Sequence, residues 1–132
     1  MQKPAPEITQ HSEPFWQACK EDRLLIMGCK DCCKAFFYPR RCCPACWSED
    51  VEWLESKGRG TLWTLTQVAV SLWGNAWDDT VPYTVGLVEL DEGVRIVSRL
   101  VGGSDWKIGD RVRVIFQSGE SDSVMPLFTA VA

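Results

Sequence analysis

Cys29-Lys30-Asp31-Cys32 and Cys43-Pro44-Ala45-Cys46 are two Cys-x-x-Cys pairs with ten residues between them. Each pair offers two thiolates from one tight turn, and two such turns complete the tetrahedral ligand set of a structural zinc ion. Extra cysteines leave the register open, because Cys29 with Cys33, or Cys42 with Cys46, also satisfies the spacing that zinc knuckles tolerate. The x-x spacing is preferred for both pairs, which makes Cys29, Cys32, Cys43 and Cys46 the expected ligands. Cys33 and Cys42 are then neighbours of ligands, and Cys19 is read as a small buried hydrophobe. Iron in an electron-transfer site is the rival to zinc. With either metal all four positions come from protein, so none is left to activate water and the centre is a staple.

The sequence on either side of these pairs reads as strand. Arg23-Leu24-Leu25-Ile26-Met27-Gly28 is apolar and too short for a lone helix, and Val51-Glu52-Trp53-Leu54-Glu55 follows the second pair. Two strands bracketing two cysteine knuckles are the layout of a zinc ribbon. Before them, residues 1–11 read as a solvated leader, and Ser12 is placed to cap a short helix with Pro14 in its first turn. Phe15, Trp16 and Cys19 share one face of that helix.

After the ribbon, Ser56-Lys57-Gly58-Arg59-Gly60 reads as a linker. Beyond it the pattern is strand and turn, with candidate strands at 61–70, 82–90, 94–100, 111–117 and 126–131. Val94, Ile96 and Leu100 alternate with Arg95 and Arg99, and Val112, Val114 and Phe116 with Arg111 and Arg113, so each strand has one buried and one wet face. Asp91-Glu92-Gly93 supplies a hairpin turn. Five short strands in about 70 residues suit a small barrel of the OB type, with an SH3-like barrel as the alternative. The fold class is therefore mainly β, divided into leader and short helix (1–22), zinc ribbon (23–56) and five-stranded barrel (57–132).

Composition narrows the function. The chain has 132 residues, 45% hydrophobic and 24% charged, with a net charge of −4. Each half, split after residue 56, carries 7 basic and 9 acidic side chains. That balance provides no basic arm for phosphate neutralisation, so no nucleic-acid partner is expected, and a nucleic-acid-binding ribbon and barrel stays as an alternative only. No apolar run reaches the roughly 20 residues that span a membrane, and residues 1–14 lack a hydrophobic signal core. A cytoplasmic protein with reduced cysteines is the expectation, which favours metal over disulfides.

Catalytic constellations are absent. His11, the single histidine, lies in the leader, which removes Cys-His and Ser-His arrangements. Asp78-Asp79 and Asp91-Glu92 are adjacent in sequence, fall in expected turns, and read as exposed turn formers rather than an acid–base pair. Seven tryptophans are many for this length. Trp53 and Trp63 lie in expected strands and are assigned inward. Trp73 and Trp77 lie in a loop between the first two barrel strands, where aromatic surface means either a partner contact or a loop folded over the barrel mouth. Phe15, Trp16, Trp73 and Trp77 are the candidate partner-binding residues.

Taken together, these stretches carry a family resemblance. They include Pro14-Phe15-Trp16, Gly28-Cys29, Tyr38-Pro39-Arg40, Val51-Glu52-Trp53, Gly58-Arg59-Gly60-Thr61-Leu62, Pro82-Tyr83, Leu87-Val88-Glu89-Leu90-Asp91-Glu92-Gly93 and both cysteine pairs. Over about residues 12–132 the chain resembles the acyl-CoA-associated family that joins a rubredoxin-like zinc ribbon to an OB fold. The resemblance implies a small, non-catalytic subunit that forms a hetero-oligomer with a thiolase-like large subunit of the lipid-transfer-protein type. The large subunit would carry the catalytic groups, and acyl-CoA would be met only through the complex. Retro-aldol cleavage of steroid side-chain CoA thioesters is the first expectation, with acyl-CoA condensation as the alternative. The family often has glycine directly after each cysteine pair, where this chain has Cys33 and Trp47, so these knuckles are expected to be strained or differently shaped.

Overall fold

The structure is a computed structural model that describes residues 2–119 and 122–131. Positions 1, 120, 121 and 132, at the ends of the expected leader and within or at the end of the expected barrel, lie outside the described residues. One helix, α1 (Glu13–Lys20), precedes eight strands. These are β1 (Leu24–Cys29), β2 (Ala35–Phe36), β3 (Val51–Ser56), β4 (Arg59–Val68), β5 (Tyr83–Leu90), β6 (Arg95–Leu100), β7 (Arg111–Ser118) and β8 (Val124–Ala130).

Ser12 stands at the N-cap of α1 but does not cap it with its side chain. Its backbone is near helical (φ −100°, ψ −8°), and Pro14 removes one of the N–H groups a cap would bind. The Ser12 hydroxyl turns back instead and accepts the Thr9 N–H at 3.0 Å. At the other end Asp22 adopts φ 58°, and the Arg23 N–H returns to the Ala18 carbonyl at 2.9 Å, closing the helix.

β1 pairs with β3 along its whole length, Leu24 opposite Ser56 through Cys29 opposite Val51, and β2 adds a short third strand. Every residue of β1 is buried because both faces are covered. Leu24 and Ile26 join Phe15 and Cys19 of α1 and Leu62, Val88, Val112 and Phe128 of the barrel in one core, while Met27 and Cys29 join Phe36 and Cys43 under the knuckles. Helix, ribbon base and barrel thus share a continuous apolar interior.

The barrel closes in the order β4-β5-β6-β8-β7, with β7 returning to β4. All its pairs are antiparallel except β6 with β8. This five-stranded order is the OB arrangement, which decides against the SH3-like alternative.

Three expectations are corrected. Residues 56–60 are not a loose linker: two residues separate β3 from β4, and Gly58 turns there at φ 70°, with Val114 so close that a Cβ would meet it. Trp63 points outward and is 47% exposed, because it is the extra, unpaired residue where the β4–β5 register shifts between Leu62, which fills the barrel interior, and Thr64. Its indole lies instead under the Arg95 guanidinium, 4.0 Å from the ring centroid. Arg99 is not on a wet face but half-buried, its guanidinium 6.0 Å from the Trp77 ring centroid and facing a cleft whose far wall is the N-terminal segment. Trp53 is half-buried against both apolar clusters.

Candidate metal centre

The two cysteine pairs form the same local structure twice. In the first, the Cys33 N–H donates to the Cys29 carbonyl at 3.0 Å and the Cys29 N–H to the Lys34 carbonyl at 3.0 Å. In the second, Trp47 N–H donates to Cys43 and Cys43 N–H to Ser48, both at 2.8 Å. The turn following each pair requires a left-handed residue, and Cys33 (φ 60°) and Trp47 (φ 66°) supply it without being glycine. The expected strain therefore has a definite location. Asp31 and Ser48 tie the two knuckles together through a side-chain hydrogen bond.

The knuckles bring four sulphurs together, those of Cys29, Cys32, Cys43 and Cys46, all within 4.8 Å of one another. Cys29 and Cys46 Sγ are 3.6 Å apart, as are Cys32 and Cys43 Sγ. Thiolates about 2.3 Å from a tetrahedral zinc stand roughly 3.8 Å from each other, so the donor set has the right size and chemistry. Backbone N–H groups point at two of the sulphurs, Cys32 N–H at Cys29 Sγ (3.5 Å) and Ala45 N–H at Cys43 Sγ (3.3 Å). Cys33 is exposed, with its thiol directed at the Lys30 carbonyl, and Cys42 is half-buried; neither joins the four-sulphur group. All seven cysteines are free thiols, and Cys19 is buried in the core, its pKa pushed up by burial to about 12.

The protonation pattern of the cluster fits a cation. Burial pushes the Cys43 thiol up, but the N–H groups of Cys46 and Ala45 and the neighbouring thiols outweigh it and bring the pKa to about 7. Cys46 gains some help from the Ser48 N–H, yet the Cys29 thiol and burial push it to about 12. Cys43 is thus the thiol most easily ionised, and Cys46 is held back by its neighbours. A dication held among the four sulphurs would supply the attraction that ionises Cys46 as well.

The candidate contact residues separate into two kinds. Phe15 is 5% exposed and belongs to the core, where it meets Trp16 and Phe37 edge-on. Trp77 turns inward to lie 5.3 Å from Tyr83, and its backbone N–H donates to the Ser71 hydroxyl. Trp73 is 58% exposed, and beside it Val70 and Leu72 are also exposed, residues that the sequence reading left out. Their signal was adjacency to Trp73 in a loop too long to be a simple turn.

Two knuckles carrying four convergent thiols, set on a five-stranded barrel, define a rubredoxin-like zinc-ribbon protein with an OB-type β-barrel. Family profiles agree: residues 16–52 match the ChsH2 rubredoxin-like zinc ribbon domain, and residues 53–117 the ChsH2 C-terminal OB-fold domain. The chain belongs to this ChsH2-type DUF35 family.

Its relatives have diverse names. A probable enoyl-CoA hydratase alpha subunit of Thermomonospora curvata is 34% identical over 125 residues, 95% of this chain. The chain spans only 38% of that relative's length. A DUF35 domain-containing scaffold protein of Methanocaldococcus jannaschii is 31% identical over 81% of this chain and 77% of its own. The benzoylsuccinyl-CoA thiolase subunit BbsA of Thauera aromatica is 34% identical over 74% of this chain and 67% of its own. Among solved structures, a chain of the Ltp2-ChsH2(DUF35) aldolase superposes with a TM-score of 0.85 at 29% identity, covering 97% of this chain and 100% of that one.

Proposed function

We propose that this chain is a non-catalytic subunit of a thiolase-like enzyme acting on acyl-CoA thioesters, in the first instance a retro-aldolase for steroid side-chain CoA thioesters. The observation that carries the reading is the end-to-end superposition on a chain of an aldolase whose name joins a ChsH2 subunit to Ltp2. A single-domain likeness would support the fold alone; this one extends over ribbon, junction and barrel together.

In this reading Cys29, Cys32, Cys43 and Cys46 hold one zinc ion in a reducing cytoplasm. When bound, the ion supplies charge and crosslinking, with no ligand position left for substrate. The chain's own residues then present the ribbon (23–56), the barrel (57–132) and the loop bearing Trp73 as contact surface, Trp16 and Trp77 adding partly covered aromatic edges. Phe15 serves from inside, by holding α1 in place. The likeness to BbsA, named as a thiolase subunit, favours acyl-CoA condensation or thiolysis as the second reading.

Co-expression tests the assembly. The chain is purified by a tag from cells that also express thiolase-like proteins encoded beside it in its host. A stable complex of defined stoichiometry is expected; recovery of this chain alone at every salt concentration tried would defeat the proposal.

A further inference from the structure

A cleft of about 840 Å³ lies between the N-terminal segment and the β6–β8 side of the barrel, with ribbon residues Phe37, Tyr38 and Pro39 on its rim. Its walls are aromatic: Phe15, Trp16 and Phe37 from the helix and ribbon, Trp77 and Tyr83 from the loop and start of β5. The size and lining are those of small-ligand sites, which commonly measure about 300–1,000 Å³ and combine apolar walls with a few directed polar groups.

The directed group here is Arg99. Its Nε is buried without a hydrogen-bond partner, and its Nη2 donates to Gln117 Oε1 at 3.2 Å. None of the ion pairs among the described residues includes it. Arg95, on the same strand, is by contrast paired with Glu89 at 3.1 Å. Buried donors are nearly always satisfied, so a guanidinium with an unpaired N–H and no ion-pair partner at the wall of a cleft is a strong seeker of acceptors. Lys3 adds a second cation near the same indole: its Nζ is 5.3 Å and the Arg99 Cζ 6.0 Å from the Trp77 centroid. Lys3 is occupied by Asp79 at 3.1 Å, which ties the N-terminal segment over the cleft. Glu7 also lines the cleft but makes no ion pair with Arg99.

We propose that this cleft binds a small amphipathic anion, its apolar body between the aromatic walls and its carboxylate or phosphate head on Arg99. The Arg99 guanidinium, which lines the cleft without an ion-pair partner, is the group to meet the oxygens of either head group. The chain's own N-terminal segment forms one wall, which bounds the space for a compact molecule rather than a through-running peptide.

Calorimetry on the full-length, zinc-loaded chain, alone and with its co-purified large subunit, tests this with 2-naphthoate, 2-naphthyl phosphate and the neutral 2-naphthylmethanol. At least one anion should bind about tenfold or more tighter than the alcohol, and whichever anion prevails identifies the head group. Arg99→Gln should reduce that anion to the alcohol's affinity, while Arg95→Gln changes neither. Should Arg99→Gln misfold, the Arg99 Nε–H resonance of the unmodified chain gives the same answer: it should shift with the anion and not with the alcohol. Equal binding of all three probes, no binding, an anion indifferent to Arg99, or loss of binding when the large subunit is present would overturn the proposal. The last result would assign the cleft to the subunit interface, and none of them bears on whether the complex forms.

Discussion

The carboxylate of Glu92 accepts a hydrogen bond from the Ser56 hydroxyl at 2.8 Å, joining the turn after β5 to the last residue of the ribbon. Its second oxygen accepts the Lys57 N–H at 2.9 Å, and Ser56 Oγ in turn accepts the Gly58 N–H at 3.0 Å. Ser56 is only 7% exposed. The junction of ribbon and barrel is thus a closed hydrogen-bonded corner. Ser56→Ala leaves a buried backbone N–H without its acceptor, and we expect it to lower stability by about 1–2 kcal/mol in urea denaturation. A change under a few tenths would show that the corner is not what holds the junction.

The ligand set makes a discriminating prediction among seven cysteines. Cys46→Ser should lose the metal and unfold at least the ribbon, whereas Cys42→Ser should keep full metal content. Metal analysis after gel filtration checks both. Full stoichiometry in Cys46→Ser would exclude the converging four-sulphur group as the site.

The left-handed residues after each pair predict an unusual gain. A side chain in that conformation costs about 1–2 kcal/mol relative to glycine, partly offset by the greater freedom of glycine in the unfolded chain. Trp47 is 77% exposed and has little packing to lose. Trp47→Gly should therefore stabilise the zinc-loaded chain by roughly 0.5–1 kcal/mol, read from the shift in the denaturation midpoint. A loss would mean that the indole makes up for its backbone.

Asp91 and Arg111 form a two-pronged ion pair, 2.8 and 2.9 Å, between the β5–β6 turn and the start of β7. The Arg111 hydrogen bonds hold the Asp91 carboxyl below its ordinary pKa. A depressed carboxyl stabilises the fold above its unfolded value, about 3.9, and that stability is lost as the pH falls through the lower folded value. The pair is half exposed, so the effect is small. Wild type should lose stability more steeply than Asp91→Asn between about pH 5 and pH 2, with a constant difference above that range. Parallel slopes would show that the pair contributes nothing.

Features set by local spacing were legible in the residues. The cysteine knuckles follow from x-x spacing, and β6 and β7 from alternation around Ile96 and Val112, because turn geometry and strand period act over a few residues. Glycine's absence after each pair even located the strained backbone at Cys33 and Trp47. What depended on distant partners was not legible. Asp91 and Glu92 read as plain turn formers, and only folding brings Arg111 and Ser56 to them. Arg99 read as a solvated strand residue because nothing in its own neighbourhood announces Trp77 or the N-terminal segment across the cleft. Trp63 was assigned inward on its size, although Leu62 beside it already claimed the interior.

A turnover assay of CoA thioesters, run on the isolated chain, on the thiolase-like subunit and on their complex, measures the central claim directly. In the proposed reading the catalytic groups lie in the large subunit, so this chain should be inert alone, and activity should require the large subunit and increase when this chain joins it. Sustained conversion of a thioester by the isolated zinc-loaded chain would contradict the account.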